Sequence, residues 1–266
     1  MHTEALLKTR HGTLIADDDG VFTLSFLLLP DYAMVSLLSA IEPLRIANRL
    51  AGKALFRWQC LSENGEPVVA SNGMALQQSL NMTAEPSPRN LFVNASFHPE
   101  KHMSEVVVKW LKSLSKQGCM IGALDTGCYL LAKAKLLDGY QMTLHWEAKA
   151  AFQERYPHLT VSNELFEIDR KRITCAGGTA ATDMVLYLIE HYYQSDLAGL
   201  VCEQLIKNGA RSQSDNQRIG WSKRLNIHHP KILNAVELMN ANIETPLTAS
   251  DLAKALSISI RQLERL

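Results

Sequence analysis

Apolar runs of strand length, each closed by a turn and followed by sequence with helical periodicity, constrain this chain most. Val21–Leu29 is almost wholly apolar and is closed by Pro30-Asp31; Cys119–Leu124 is apolar throughout and runs into Thr126-Gly127. Strands that read as unbroken apolar runs are buried on both faces, which requires a parallel sheet with helices above and below it. The intervening segments supply those helices. Met34–Leu50 carries Met34, Leu37, Leu38, Ile41, Leu44 and Ile46 at helical spacing, with Pro43 expected to kink or restart it. Met103–Leu114, Gly127–Leu137, Glu147–Arg155, Thr179–Tyr193 and Leu197–Lys207 read as further helices. Phe56–Leu61 and Asn90–Asn94 read as strands, and Val68–Val69 and Met74–Leu76 as short ones. Phe166–Asp169 and Ile173–Cys175 flank Arg170-Lys171-Arg172 as a hairpin. The expectation is an α/β fold over residues 21–208: a parallel sheet with helices on both faces.

Composition narrows the class. Of 266 residues, 47% are hydrophobic and 20% charged, which excludes a disordered or collagen-like chain. No apolar run has the roughly 18 residues of a membrane span. Residues 1–20 read as a tail: Lys8 and Arg10 precede Asp17, Asp18 and Asp19, with no apolar core of a secretion signal. The five cysteines are scattered and show no C-x-x-C spacing. Neither a zinc site nor a disulfide framework is indicated, and a cytoplasmic setting without metal or cofactor is expected. The charges cancel over the whole chain, yet residues 209–266 carry a net +3 and residues 1–208 a net −3. That polarity raises the question of phosphate contact at the C-terminal end.

The texture changes after a polar stretch, 209–228, read as a linker. Ile232, Leu233, Val236, Leu238 and Met239 form one face of a helix ended by Pro246. Thr248-Ala249-Ser250-Asp251 is a capping box opening a helix with Leu252, Ala253 and Leu256 inward. A second box, Ser259-Ile260-Arg261-Gln262, opens a helix with Arg261, Gln262 and Arg265 on its polar side. Two capped helices joined by a tight turn are either a DNA-reading helix-turn-helix or a helical hairpin with solvated arginines. Arg and Gln can pair bidentately with guanine and adenine edges.

The series His229-Pro230-Lys231, Ala235–Met239, Asn242-Ile243-Glu244, Pro246-Leu247-Thr248, Asp251-Leu252-Ala253 and Ser259–Leu266 resembles the opening of the AraC-family DNA-binding domain. Ser257 stands where that family usually has Gly in the turn. The family implies two helix-turn-helix units, and the resemblance ends within the first. Residues 229–266 are therefore expected to be a partial reader, the end at Leu266 a truncation, and the isolated chain a poor operator binder.

Gly122-Ala123-Leu124-Asp125-Thr126-Gly127-Cys128 leads from strand directly into helix, the arrangement of a nucleophile elbow. With Leu27–Pro30, Glu42–Arg45, Thr143–Trp146 and Thr174–Ala180, it resembles the PfpI-like branch of the class I glutamine amidotransferase superfamily. More closely, it resembles regulators that join such a domain to an AraC-type reader. The resemblance implies a flavodoxin-like fold. Enzymes of the superfamily place Cys at the elbow; this chain has Asp125, a poor nucleophile whose charge a helix N-terminus would stabilise. Cys128 lies nearly a turn deeper and reads as core, as do Cys119 and Cys175. Asp125 reads as a helix N-cap, as the anionic wall of a ligand pocket, or as both. His145 and Trp146 are candidate ligand contacts or structural residues, and Trp146 offers a cation–π face. Ser96, Phe97 and Thr126 follow strand ends, where ligands of open α/β sheets bind. Glu42 and Arg45 read as a pair or as solvated charges; Thr179 and Asp183 as pocket or subunit contact.

The expectation is a transcriptional regulator without catalytic residues, acting as a homodimer on promoter DNA. Its degenerate domain would sense a cationic or zwitterionic nitrogenous metabolite, such as an amino acid or betaine-like compound. The alternative is a PfpI-like amidase or peptidase, or a glyoxalase-type enzyme; a dimerising module is a third reading.

Overall fold

The first apolar run becomes β1 (Phe22–Leu28), an interior strand from which the chain builds the sheet outward on both sides. The computed structural model describes residues 14–77, 80–218 and 224–266. Lys8 and Arg10 of the expected tail, and residues 219–223 of the expected linker, lie outside the described residues. The chain divides into two units, one ending at Gln217 and one beginning at Arg218.

In the first unit, β1 is followed by α1 (Met34–Ala51), β2 (Phe56–Ser62), β3 (Leu80–Asn81), β4 (Asn90–Ala95), a short 3-10 turn (Pro99–His102) and α2 (Glu105–Lys116). Then come β5 (Met120–Asp125), α3 (Cys128–Lys133), β6 (Gln141–Met142), α4 (Lys149–Arg155) and β7 (Thr160–Val161). β8 (Phe166–Asp169), β9 (Arg172–Cys175), α5 (Ala180–Tyr193) and α6 (Ser195–Gln204) complete it. Strand order is β3-β2-β1-β4-β5-β9-β8, with β6 and β7 forming a separate parallel pair. All neighbours in the large sheet are parallel except β8, which runs antiparallel to β9 as the expected hairpin. The register sets Ala95 beside Asp125 at the carboxyl ends of β4 and β5.

Alternation along the strands divides the core. Leu24, Phe26 and Leu28 of β1, with Phe92 and Leu124, pack under α1, α5 and α6. Leu27, Leu91, Val93 and Ile121 face the other way, under α2 and α3. Burial of both faces explains why these strands read as continuous apolar runs.

α1 runs unbroken through Pro43, where a kink or restart was expected. Proline removes the N–H that would bond the Ser39 carbonyl four residues back. Here Thr182 Oγ1 of α5 donates to that carbonyl at 3.1 Å, so the orphaned acceptor is satisfied across the helix interface. α3 is shorter than the Gly127–Leu137 expectation: the chain turns out of it at Lys135, φ 55°, and Leu137 returns to the core. The segments expected as strands at 68–69 and 74–76 form only an antiparallel bridge between Val69 and Ala75. The polar stretch read as a linker is partly integrated into the first unit. Arg211 bonds Asp183, Gln213 accepts from the Leu165 N–H, and the Gln217 amide donates to the Glu164 carbonyl.

The second unit holds α7 (Pro230–Ala241), α8 (Ala249–Ala255) and α9 (Ile260–Leu263). Both capping boxes form: Thr248 with Asp251, and Ser259 with Gln262. Ser257 takes φ 52° in the turn between them, the left-handed geometry that usually recruits glycine. Leu252 and Ala253 are buried as expected, whereas Met239 is 55% exposed and leaves the apolar face assigned to it.

Candidate functional site

β5 ends in a sharp turn. Asp125 adopts φ 58°, and Gly127 passes so close to β4 that a Cβ there would lie 2.1 Å from the Val93 carbonyl oxygen. Glycine is the residue that permits this approach. Thr126 Oγ1 donates to the Ser96 carbonyl at 2.6 Å, tying the turn to the loop after β4. The elbow expected from the sequence is thus present.

The state of its side chain differs from expectation. α3 begins at Cys128 with Gly127 as its cap residue, so Asp125 does not cap it. The Asp125 side chain is buried against the loop after β9 rather than solvated at a helix end. Burial pushes its carboxyl up from 3.8 to about 7; the nearby Glu147 charge adds to this, and the Thr126 N–H opposes it. Desolvation therefore overrides the helix-end stabilisation expected for the charge.

Beside the elbow lies a cavity of ≈ 180 Å³, lined by His145, Trp146, Gly177, Thr179, Arg211 and Gln217 among others. Gly177 forms its wall against Asp125. At φ 85° it takes a backbone conformation that favours glycine, and a Cβ there would lie 2.7 Å from Asp125 Cβ and 2.9 Å from Ser36 Oγ. Ser36 Oγ in turn accepts from the Gly178 N–H at 2.7 Å. His145 donates its backbone N–H to the Asp125 carbonyl at 3.4 Å, and its ring lies 5.5 Å from that of Trp146. Burial holds the imidazole below its usual value, against the opposing charge of Glu147. Trp146 is 42% exposed.

The six residues proposed from sequence therefore separate into three positions. His145 and Trp146 line the cavity; Asp125 stands behind its Gly177 wall. Thr126, Ser96 and Phe97 lie on the β4 side of the elbow, do not line this cavity, and Phe97 is 60% exposed.

Arg211 and Gln217 are the cavity residues that sequence reading assigned to a linker. Arg211 donates through Nε and its backbone N–H to fully buried Asp183, both at 2.8 Å, and its Nη2 reaches Thr179 Oγ1 at 3.0 Å. Lys207 is the second counter-ion of Asp183, at 2.9 Å. Thr179 thus borders the cavity, while Asp183 holds one of its walls. Glu42 and Arg45 pair at 2.7 Å on the exposed side of α1.

The thiols are placed for packing. Cys128 is fully buried, its Sγ donates to the Thr143 carbonyl at 3.3 Å, and burial pushes it far above the ordinary thiol value. Cys119 and Cys175 are each pushed to about 12 by burial. Among the described residues, no three His, Cys, Asp or Glu side chains gather as a metal site.

The profile of the DJ-1/PfpI family matches residues 34–191. The chain belongs to the DJ-1/PfpI family. Its curated relatives include the HTH-type transcriptional regulator CdhR of Pseudomonas aeruginosa, 44% identical over 241 residues, covering 91% of this chain and 71% of the relative. GbdR of the same species, also named an HTH-type transcriptional regulator, is 39% identical over 244 residues, covering 92% of this chain and 66% of GbdR. The chain therefore spans about two thirds of that relative's length. The crystal structure of an AraC family transcriptional regulator from Pseudomonas putida superposes with a TM-score of 0.62 at 28% identity, over 69% of this chain and 98% of that one. Drosophila melanogaster DJ-1beta shares the fold, with a TM-score of 0.58 at 18% identity over 70% of this chain and 99% of its own.

Beyond the DJ-1/PfpI unit, Arg261 and Arg265 are exposed at α9 and just beyond it. Gln262 is committed in part: its Oε1 accepts from the Ser259 N–H at 2.9 Å, closing the capping box. No described helix is long and apolar enough to cross a membrane.

Proposed function

We propose that this protein is a cytoplasmic, DNA-binding transcriptional regulator whose DJ-1/PfpI unit senses a small nitrogenous metabolite and does no chemistry on it. The observation that carries this reading is the elbow: a buried carboxyl stands where the turn presents a side chain beside a cavity. The thiols, pushed up by burial, offer no nucleophile in its place. The regulator names of the relatives support the same reading. The effector would be cationic or zwitterionic, of the amino-acid or betaine-like kind. On the cavity wall, Trp146 supplies a cation–π face and the Arg211 guanidinium a partner for a carboxylate; the Asp125 carboxyl stands behind the Gly177 wall. Arg261, Gln262 and Arg265 would contact promoter DNA. Association as a homodimer is supported by the outward stripe of α1, where Val35 is 54% and Leu38 44% exposed beside Met74 at 63%.

A mobility shift on the DNA upstream of the protein's own gene, with and without amino acids and betaines, tests the reading. A weak shifted complex, in keeping with a partial reader, whose population responds to one of these compounds is expected. No shifted complex under any of these conditions, together with hydrolysis of glutamine or a peptide or conversion of methylglyoxal, would replace the regulator by the enzyme reading.

A further inference from the structure

The segment Arg211–Gln217 is a wall of the cavity and is also the last stretch of the first unit. Its two ends, Arg211 and Gln217, are both among the residues that line the cavity. At one end, Arg211 is oriented by Asp183 and Thr179 while its side chain stays 38% exposed. Asp183 carries one negative charge and is held by two cations, Lys207 at 2.9 Å and Arg211 at 2.7 Å. One positive charge is left over at this wall. A guanidinium held rigid from behind with surplus charge is suited to a carboxylate.

At the other end, the Gln217 amide is fixed by its nitrogen. Nε2 donates to Thr143 Oγ1 at 3.1 Å, the Leu144 carbonyl at 3.1 Å and the Glu164 carbonyl at 2.9 Å. Those acceptors exclude the flipped amide, which would set oxygen against oxygen. Gln217 Oε1 is consequently committed to the other side, buried, and has no hydrogen-bond partner among the described residues. A buried acceptor without a donor costs free energy unless something binds there.

Resting on the sensor reading above, we infer that the cavity selects a small amino acid: a carboxylate on Arg211 and an N–H-bearing ammonium or guanidinium on Gln217 Oε1. A quaternary ammonium has no N–H to offer that oxygen, so the betaine class is disfavoured. Because both contacts come from the 211–217 strap, the occupant braces the stretch of chain that leads to the second unit.

Calorimetric titration of the 266-residue chain with the twenty amino acids, their decarboxylated amines and their N-trimethyl betaines tests the inference. An amino acid is expected to bind, with its amine and its betaine each weaker by roughly ten- to hundredfold, the range for a charged hydrogen bond. Arg211→Gln leaves Asp183 its Lys207 partner; it should lower amino-acid affinity while leaving the amine's unchanged, so that the two converge. Gln217→Met should erase the preference over the betaine. Thermal melts of each variant confirm folding, and Arg211→Lys, which keeps the charge, should restore part of the carboxylate preference. An amino acid and its amine binding wild type equally, or a betaine binding more tightly than its amino acid, overturns this inference and leaves the sensor reading standing. Absence of saturable binding by every compound overturns both.

Discussion

Asp125 carries an unusual load for one carboxyl: left-handed backbone geometry, burial, and a titration displaced to about 7. The displacement has a stability consequence of definite sign. In the unfolded chain the group ionises near 3.8; in the folded protein it ionises near 7. The folded state therefore holds the proton more tightly, so no cost exists below about pH 4. The cost grows from there and is complete above about pH 7, with a ceiling of about 4 kcal/mol. Asp125→Asn keeps the size, and Asn tolerates positive φ well. The variant should melt higher than wild type at pH 8 and equally at pH 4. An identical difference at both pH values would mean the carboxyl is not desolvated. The thiols make a companion prediction. Cys119, Cys128 and Cys175, raised by burial, should resist alkylation by iodoacetamide in the native protein for hours at pH 7.5 and react on unfolding. Rapid native labelling of Cys128 would return a nucleophile to the elbow.

At the scale of elements, much was legible because burial leaves a periodic trace. Val21–Leu29 and Cys119–Leu124 announced doubly covered strands, and Thr248-x-x-Asp251 and Ser259-x-x-Gln262 announced helix starts whose cap hydrogen bonds form. What was not legible depends on partners distant in sequence. Pro43 looked like a break because its compensation, Thr182, lies on another helix. Arg211 and Gln217 looked like linker because a polar strap and a solvated tether have the same composition; only contact with Asp183 and Glu164 distinguishes them. Asp125 looked ionised because its desolvation comes from the Gly177 loop, some fifty residues on. The Pro43–Thr182 compensation can be measured. Thr182→Val should destabilise by about 1 kcal/mol, the usual net worth of a hydrogen bond. In a Pro43→Ala background the Ser39 carbonyl regains a helical donor, and the same substitution should cost clearly less. Equal costs in the two backgrounds, read from urea melts, would show that the hydroxyl does not serve the orphaned carbonyl.

For the molecule as a whole, a unit of the DJ-1/PfpI family is followed along the chain by helices whose sequence resembles the start of an AraC-type reader. The exposed α1 stripe belongs to this scale. If it joins two copies, light scattering should give twice 29.7 kDa for wild type and a single copy for Leu38→Asp, with unchanged melting. A monomeric wild type at micromolar concentration would remove the dimer from the account. The proposed sensor binds its effector in the cavity beside Asp125 without reacting with it, and one calorimetric experiment separates binding from turnover. Injection of an amino-acid and betaine panel should give, for a member of the panel, heats that saturate at one site and then fall to the heat of dilution. A steady thermal power that persists after saturation, scales with protein concentration and disappears in Cys128→Ser would show turnover and make the unit an enzyme.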